Sequence, residues 1–432
     1  MNYKETIGYL QGQLPMFHRI GAAAYKANLN NTISLSQYLG NPETKFKSIH
    51  IAGTNGKGSV ANMLASILQQ QGYKTGLATS PHLKDFRERI RVNGNFIPKR
   101  EVTGFVKNHK HFFEKLSPSF FEISIALTFD YFAKQNLDIA VIETGLGGRL
   151  DSTNIITPLV SVITNIGMDH MNLLGDTLWK IAGEKAGIIK PNVPVVIGKF
   201  QPEIHDVFAK KSAQFGADLF LAQDFFALAG AQTIEAGGKL FQEISYYTQT
   251  GQRKRVNTDL TGNYQQENVA TTLATIEVLN RRGLLKVTDK AIEAGLARVM
   301  VNTGFKGRWY QIGQKPRIIC DTGHNADGIK LVMSQLAGID YDQLKIVLGF
   351  VDDKDAGAIL KLFPPGATYY FCKPDVPRGL SLEKLIHAAK ASGINGNAFS
   401  SVKEALKAAK GDSGQRDLIF VGGSTFVVAE VI

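Results

Sequence analysis

Cysteine is nearly absent from this 432-residue sequence: Cys320 and Cys372 are the only two. They are too few and too far apart for a disulfide framework or a paired-cysteine metal knuckle, and both are expected to be buried thiols. No apolar run approaches the roughly 18 residues that a membrane-spanning helix needs, so no membrane partner is expected. The first fifteen residues carry Lys4 and Glu5 and lack the apolar core and small-residue cleavage site of a signal peptide. The expected location is the cytoplasm. RNP-type aromatic boxes, zinc-finger spacings and long Lys/Arg blocks are missing too, which removes the usual grounds for expecting nucleic acid. The net charge of +11 then suits a polyanionic small molecule, which the same long-range field attracts.

What is present belongs to a globular protein. Apolar residues at 44% and charged residues at 20% leave no segment poor enough in apolar side chains to predict disorder. Single cores stop growing at about 250–300 residues, so two domains are expected. Short apolar runs alternate with helical-period stretches. Ser48–Ala52, Thr75–Thr79, Ile139–Ile142, Val160–Thr164 and Val195–Ile197 read as strands. Val60–Gln71 places Val60, Met63, Leu64, Ile67 and Leu68 on one helical face. The alternation predicts a mainly parallel sheet flanked by helices, with ligands at the carboxyl ends of strands. Asp218 to Asn257 looks like an antiparallel meander attached to this first domain. After the loop-like Asn302–Gly307, strands at Arg317–Cys320, Lys345–Phe350, Thr368–Cys372 and Leu418–Val421 predict a smaller Rossmann-like α/β domain. The boundaries expected are 1–298 and 299–432.

The strand Ser48–Ala52 runs through Gly53-Thr54-Asn55-Gly56-Lys57-Gly58-Ser59 into the helix. A phosphate cradle needs this order. Glycines let the backbone approach the anion, successive N–H groups and the helix N-terminus point at it, Lys57 adds charge, and the Ser59 hydroxyl suits phosphate or its Mg²⁺. The competing reading is a tight turn with an incidental lysine. The loop departs from the GxxxxGK[ST] form, with Ile51 at the first position and Gly58 between Lys57 and Ser59.

Three further polar clusters end strands or follow them: Glu143-Thr-Gly-Leu-Gly-Gly-Arg-Leu150-Asp151-Ser152, Asp169-His170 followed by Leu174-Gly175, and Glu184-Lys185-Ala-Gly-Ile. Taken singly, Glu143 could cap a helix, His170 could be a satisfied polar residue, and Lys185 a solvated charge. Taken together and in order, with the glycine loop and Ser80-Pro81-His82-Leu83, they resemble the folylpolyglutamate synthase and dihydrofolate synthase family of the Mur ligase superfamily. The resemblance runs over nearly the whole chain.

That resemblance implies a P-loop ATP- and folate-binding domain, a C-terminal glutamate-ligase domain, and two Mg²⁺ sites. Ser80 and Glu143 would hold the metal nearest ATP, and His170 would help hold a second, with Lys185 carbamylated into an oxygen-bearing anion. The pterin pocket would draw on Ile20–Tyr25, on Phe120, Phe121 and Glu122, and on Leu150, Asp151 and Ser152, although core packing accounts equally well for the two phenylalanines. Asn268 and Arg308 would contact ATP, Asp321 the nucleotide, and His324 glutamate or phosphate, with Ser424 near the substrate or in a plain strand-end turn. Lys306 stands where the family usually has proline, and Gly323 and Ala326 depart from its Asp-x-Ala-His-Asn-Pro. The activity implied is ATP-dependent joining of L-glutamate to dihydropteroate or folate through an acyl phosphate, by a monomer. A peptidoglycan-type Mur ligase, which shares the chemistry, and a basic nucleotide-binding regulator without catalysis remain the alternatives.

Overall fold

Runs of aliphatic residues build the first sheet. The computed structural model describes residues 1–12, 28–352 and 356–432, so the expected pocket segment Ile20–Tyr25 lies outside the described residues. Eight strands form one sheet: β1 Ser48–Ala52, β2 Thr75–Ala78, β3 Ile90–Val92, β4 Asn95–Phe96, β5 Ile139–Glu143, β6 Val160–Ile163, β7 Val195–Ile197 and β8 Leu219–Leu221. Their order is β4-β3-β2-β5-β1-β6-β7-β8. Only β3 pairs antiparallel, with β2 and with β4. Strands β1, β5, β6 and β7 are buried along their whole length, as a parallel sheet covered on both faces requires. Because β1 lies between β5 and β6, their carboxyl ends line up, with Ile51 opposite Glu143 and Ala52 opposite Ile163.

The helix Lys57–Gln70 follows β1 and is buried from Ser59 to Leu68. The expected apolar face is there, and its flanks are covered as well, because helices Gln265–Arg281 and Asp289–Leu296 pack on it. The meander appears as β9 Phe226–Ala236, β10 Lys239–Thr248 and β11 Arg253–Thr258, all antiparallel. Leu219–Leu221, at the start of that tract, instead joins the edge of the main sheet.

A second compact unit comprises Leu260–Asn263 and Lys306–Ile432. Its strands are β12 Tyr310–Gln314, β13 Arg317–Cys320, β14 Leu344–Leu348, β15 Thr368–Cys372, β16 Gly396–Phe399 and β17 Leu418–Gly422, in the order β12-β13-β17-β14-β15-β16. Only β12 is antiparallel to its neighbour. Both cysteines are free and buried in this unit.

The boundary expected at 298/299 falls one short helix too early. Residues Val299–Thr303 are helical and belong to the first unit: Met300 N donates to Asp259 Oδ2 at 2.9 Å, and Asn302 Nδ2 to Ser66 Oγ at 2.9 Å. The expected loop at Asn302–Gly307 therefore starts at Gly304, whose φ of +68° ends the helix. Residues 260–263, expected in the first domain, cluster with the second unit, where Asn263 N and Thr261 O both bond the Gln335 amide, at 2.7 and 3.0 Å.

Gly295 sets how closely Asp289–Leu296 approaches the phosphate-loop helix. Its carbonyl accepts from Ser66 Oγ at 2.6 Å, and a Cβ there would lie 2.5 Å from Ile67 Cα. Gly295→Val is expected to cost about 2–3 kcal/mol of stability through overpacking against backbone. Thermal unfolding measures it, and an unchanged midpoint would contradict this packing.

Candidate active site

The glycine loop is shaped by contacts that exclude side chains. Gly53 and Gly56 have φ of +148° and +85°, and a Cβ would strike Thr164 Oγ1 at the first and Asn268 Oδ1 at the second. The segment after β6 holds the loop from outside. Thr54 N donates to Asn165 O and Asn55 N to Asn165 Oδ1, both at 2.9 Å. Thr54 Oγ1 accepts from Gly167 N at 2.9 Å and donates to Gly167 O at 3.1 Å, while Thr164 Oγ1 donates to Asn55 O at 2.5 Å. Among the described residues no side chain caps Lys57–Gln70, and the N-terminus of a helix is suited to an anion. Ser59 lies in that first turn, and Asn268, at the start of the helix Gln265–Arg281, stands over Gly56 with its Nδ2 on Gln265 Oε1 at 2.7 Å.

Two lysines meet on one carbonyl. Lys57 Nζ donates to Gly53 O at 2.9 Å and to Thr54 O at 3.1 Å, and Lys185 Nζ donates to Gly53 O at 2.8 Å. Lys185, on the helix Leu178–Ala186, is 4% exposed. Burial, with the Lys57 charge adding to it, brings the Lys185 amine down to about 7, against the pull of Asp169 and Asp151. His170 follows Asp169 in a left-handed turn, φ +50°, with its Nε2 3.9 Å from Asp169 Oδ1.

Glu143 ends β5 and is 6% exposed. Its Oε2 accepts from Ser80 N at 3.1 Å, and both its oxygens lie 3.7 Å from where a Gly58 Cβ would stand. The phosphate-loop glycine, the β5 carboxylate and Ser80 thus converge. Two buried arginines, absent from the expected site, adjoin them. Arg89 Nε donates to His82 Nδ1 at 2.7 Å, and Arg91 Nη1 to Asn62 Oδ1 at 3.3 Å; Asn62 Nδ2 in turn donates to Gly58 O at 2.7 Å. Burial brings both guanidinium groups down to about 10, opposed by Glu143 and Glu88. The i, i+2 spacing of Arg89 and Arg91 is the only sequence sign of a shared face, and arginines in so short a segment ordinarily read as solvated.

The expected pterin residues have defined places. Phe120 is buried, edge-on to Phe86 at 5.8 Å, with the Arg89 guanidinium 5.4 Å from its ring centre. Phe121 covers Gly145, where a Cβ would strike its ring. Glu122 completes a capping box for its helix: its Oε2 accepts from Ser119 N at 2.5 Å, and Ser119 Oγ accepts from Glu122 N at 3.2 Å. The Ser-x-x-Glu spacing carries that signal. Leu150 is half-buried; Asp151 and Ser152 are buried. Burial raises the Asp151 carboxyl, against its hydrogen bonds from Thr153, Leu146 and Gly145. Those bonds close the loop 145–151 on itself.

In the second unit, a cluster forms at the ends of β13 and β17. Asp321 accepts from Trp309 N and Gly323 N, both at 2.7 Å. Arg308 donates to Thr322 Oγ1. His324 Nδ1 lies 3.1 Å from Thr322 O, a carbonyl that only accepts and so places a proton on Nδ1. Asn325 caps the helix Ala326–Ala337, and Ser424 caps Thr425–Ala429.

Residues 51–276 match the Mur ligase middle domain and 307–425 the Mur ligase glutamate ligase domain. The chain is 32% identical to the dihydrofolate synthase/folylpolyglutamate synthase of Bacillus subtilis, over 99% of this chain and 98% of the relative. It is 33% identical to the folylpolyglutamate synthase of Lacticaseibacillus casei, over 98% and 96%. Among solved structures it is similar to Escherichia coli FolC in complex with DHPP and ADP, with a TM-score of 0.84, 28% identity and coverage of 100% and 97%. The folylpolyglutamate synthase of Mycobacterium tuberculosis complexed with ADP and AMPPCP gives 0.85, 28%, and coverage of 99% and 98%.

A lysine folded with its amine near 7 binds fewer protons than the unfolded chain, whose lysines titrate near 10.5. Stability should therefore rise with pH across that window. Denaturant unfolding in bicarbonate-free buffer from pH 7 to 10 is expected to show this rise flattened in Lys185→Met. Equal slopes for the two proteins would contradict the burial of this amine.

Proposed function

The chain belongs to the dihydrofolate synthase/folylpolyglutamate synthase family of Mur ligases, and from that premise we propose how its residues carry out the ATP-dependent ligation of glutamate to folates. The observation that carries the reading is the convergence of the glycine loop, Lys57, Glu143 and Ser80 after the neighbouring parallel strands β1, β5 and β2, with Lys185 reaching the loop from the helix Leu178–Ala186.

A carboxylate does not react with an amine at neutral pH, because its leaving group would be oxide. Phosphoryl transfer from ATP to the acceptor carboxylate converts that group to an acyl phosphate and releases ADP. The glutamate amine then attacks the carbonyl, the C–N bond forms, phosphate leaves, and the amine gives up its proton. The backbone N–H groups from Gly56 to Ser59, at the start of the helix, hold the triphosphate and Lys57 offsets charge on the γ-phosphoryl group. Asn268 adjoins the nucleotide. Arg308, Asp321, His324 and Ser424 serve ATP and glutamate in the second unit, an assignment that rests on the family resemblance. Phe120, Phe121 and the loop through Leu150, Asp151 and Ser152 form the acceptor side, with Glu122 and Asp151 acting as its framework through their caps. The enzyme works as a cytoplasmic monomer.

Glu143, Ser80 and Ser59 are hard oxygen donors and fit Mg²⁺, which when bound neutralises phosphate charge and aligns the oxygens. The second set fits a metal only after modification, because an ammonium at Lys185 cannot ligate. A buried amine near 7 is substantially neutral at working pH. The neutral nitrogen attacks CO₂, forms an N–C bond and loses a proton, giving a carbamate that can join His170 in holding a cation.

With ATP, L-glutamate and either dihydropteroate or tetrahydrofolate, the products are expected to be the amide, ADP and phosphate. AMP and pyrophosphate would contradict the reading; an amide formed on a muramyl peptide acceptor but on neither pterin would favour the peptidoglycan-type alternative, and no amide with any of these acceptors a regulator. Lys57→Ala is expected to lower turnover by at least about a hundredfold, and wild-type turnover in that variant would remove the phosphate-loop assignment. Isotopically labelled bicarbonate should give a carbamate resonance that Lys185→Arg lacks; its absence from wild type would remove the modification.

A further inference from the structure

We infer that His50 and Thr153 are positioning residues that fix the acceptor loop, residues 145–151, to the strand carrying the phosphate loop; the inference rests on that loop's reading as part of the acceptor site. His50 sits in the middle of β1, three residues before Gly53, and is wholly buried. Its Nε2 lies 2.8 Å from Thr153 Oγ1, which lies 2.6 Å from Asp151 Oδ1. The same oxygen accepts from Thr153 N at 3.0 Å, and Asp151 Oδ2 accepts from Leu146 N at 2.7 Å. A chain of hydrogen bonds therefore runs from the core of β1 to both ends of the loop.

With Asp151 ionised, the state that N–H donors on both of its oxygens favour, the protons along it have one consistent arrangement. An ionised carboxylate only accepts, so the single Thr153 hydroxyl proton goes to Asp151, and the hydroxyl oxygen accepts from the ring. The His50 proton is then on Nε2, and Nδ1 is bare. Nδ1 is indeed buried with no hydrogen-bond partner among the described residues. Burial, with Lys190 adding to it, keeps the ring neutral by bringing it down to about 3, so His50 is a fixed donor rather than an acid or base. An aliphatic side chain would fill the same place in β1 without burying an unpartnered nitrogen. What the imidazole adds is the bond to Thr153.

Thr153→Val removes that bond and leaves a buried N–H and a carboxylate oxygen each short of a partner. The expected result is a rise of about tenfold in KM for dihydropteroate or tetrahydrofolate, with KM for ATP within about twofold of wild type. The pH profile of kcat should not move. Thr153→Ser, which keeps the hydroxyl, should restore the acceptor KM. His50→Gln, which keeps an N–H donor, should stay nearer wild type than His50→Leu. A purely structural role predicts lower thermal stability with no split between the two KM values, and that result would overturn the inference, as would an unchanged acceptor KM in Thr153→Val. If Thr153→Val does not fold, the contrast between His50→Gln and His50→Leu decides on the same criterion. A wild-type protein that forms no amide with either pterin acceptor defeats the functional reading itself, whereas turnover without the KM split defeats only this inference.

Discussion

Two lysine side-chain nitrogens share the carbonyl oxygen of Gly53, and much of the first unit is arranged around that fact. Like charges so close are costly away from water. The fold meets the cost in three ways: Lys185 gives up much of its affinity for a proton, Asp169 and Asp151 stand in range to offset it, and Lys57 is only half-buried. A triphosphate offers stronger acceptors than carbonyls, since charge-assisted hydrogen bonds are roughly twice as strong as neutral ones. The same geometry that strains two cations thus prepares a polyanion site.

Opposite charge is handled on the neighbouring strand. Glu143 is buried and tied to Ser80, with Arg89 and Arg91 close enough for their fields to matter. Arg91 reaches the loop itself through Asn62 and the carbonyl of Gly58. Phosphate loop, carboxylate and the two arginines at β3 are therefore one electrostatic assembly, and the neighbouring positions of β3, β2, β5 and β1 in the sheet bring its parts together.

Much of this was legible before any coordinates. The strands ending at Ala52 and Ile197 were readable to the residue, because a buried parallel strand is an unbroken apolar run between turn residues. The glycine loop was readable because strand, glycines, lysine and helix all agree. Other features were hidden for physical reasons. The edge strand β12 offers only Tyr310 and Ile312 in alternation before the irregularity at Gly313, and β16 is the short, mostly exposed Gly-Asn-Ala-Phe. The helix Val299–Thr303 is too short for periodicity, and its last two residues, Asn302 and Thr303, read as loop. Arg89 and Arg91 belong to no motif, and burial of a cation depends on partners distant in the chain. Glu122, read as a substrate contact, spends its carboxylate on a capping box that the Ser119-x-x-Glu122 spacing announces. His50 had no local signal at all, because its partner Thr153 is a hundred residues away.

A crystal structure of the protein with magnesium and a non-hydrolysable ATP analogue tests the central claim most directly. The account predicts the phosphates on the N–H groups of residues 56–59, Lys57 turned from the Gly53 carbonyl onto a phosphate oxygen, and the metal held by Glu143 and Ser80. A nucleotide bound away from this loop, or a Glu143 carboxylate turned from the metal toward Arg89, would contradict it.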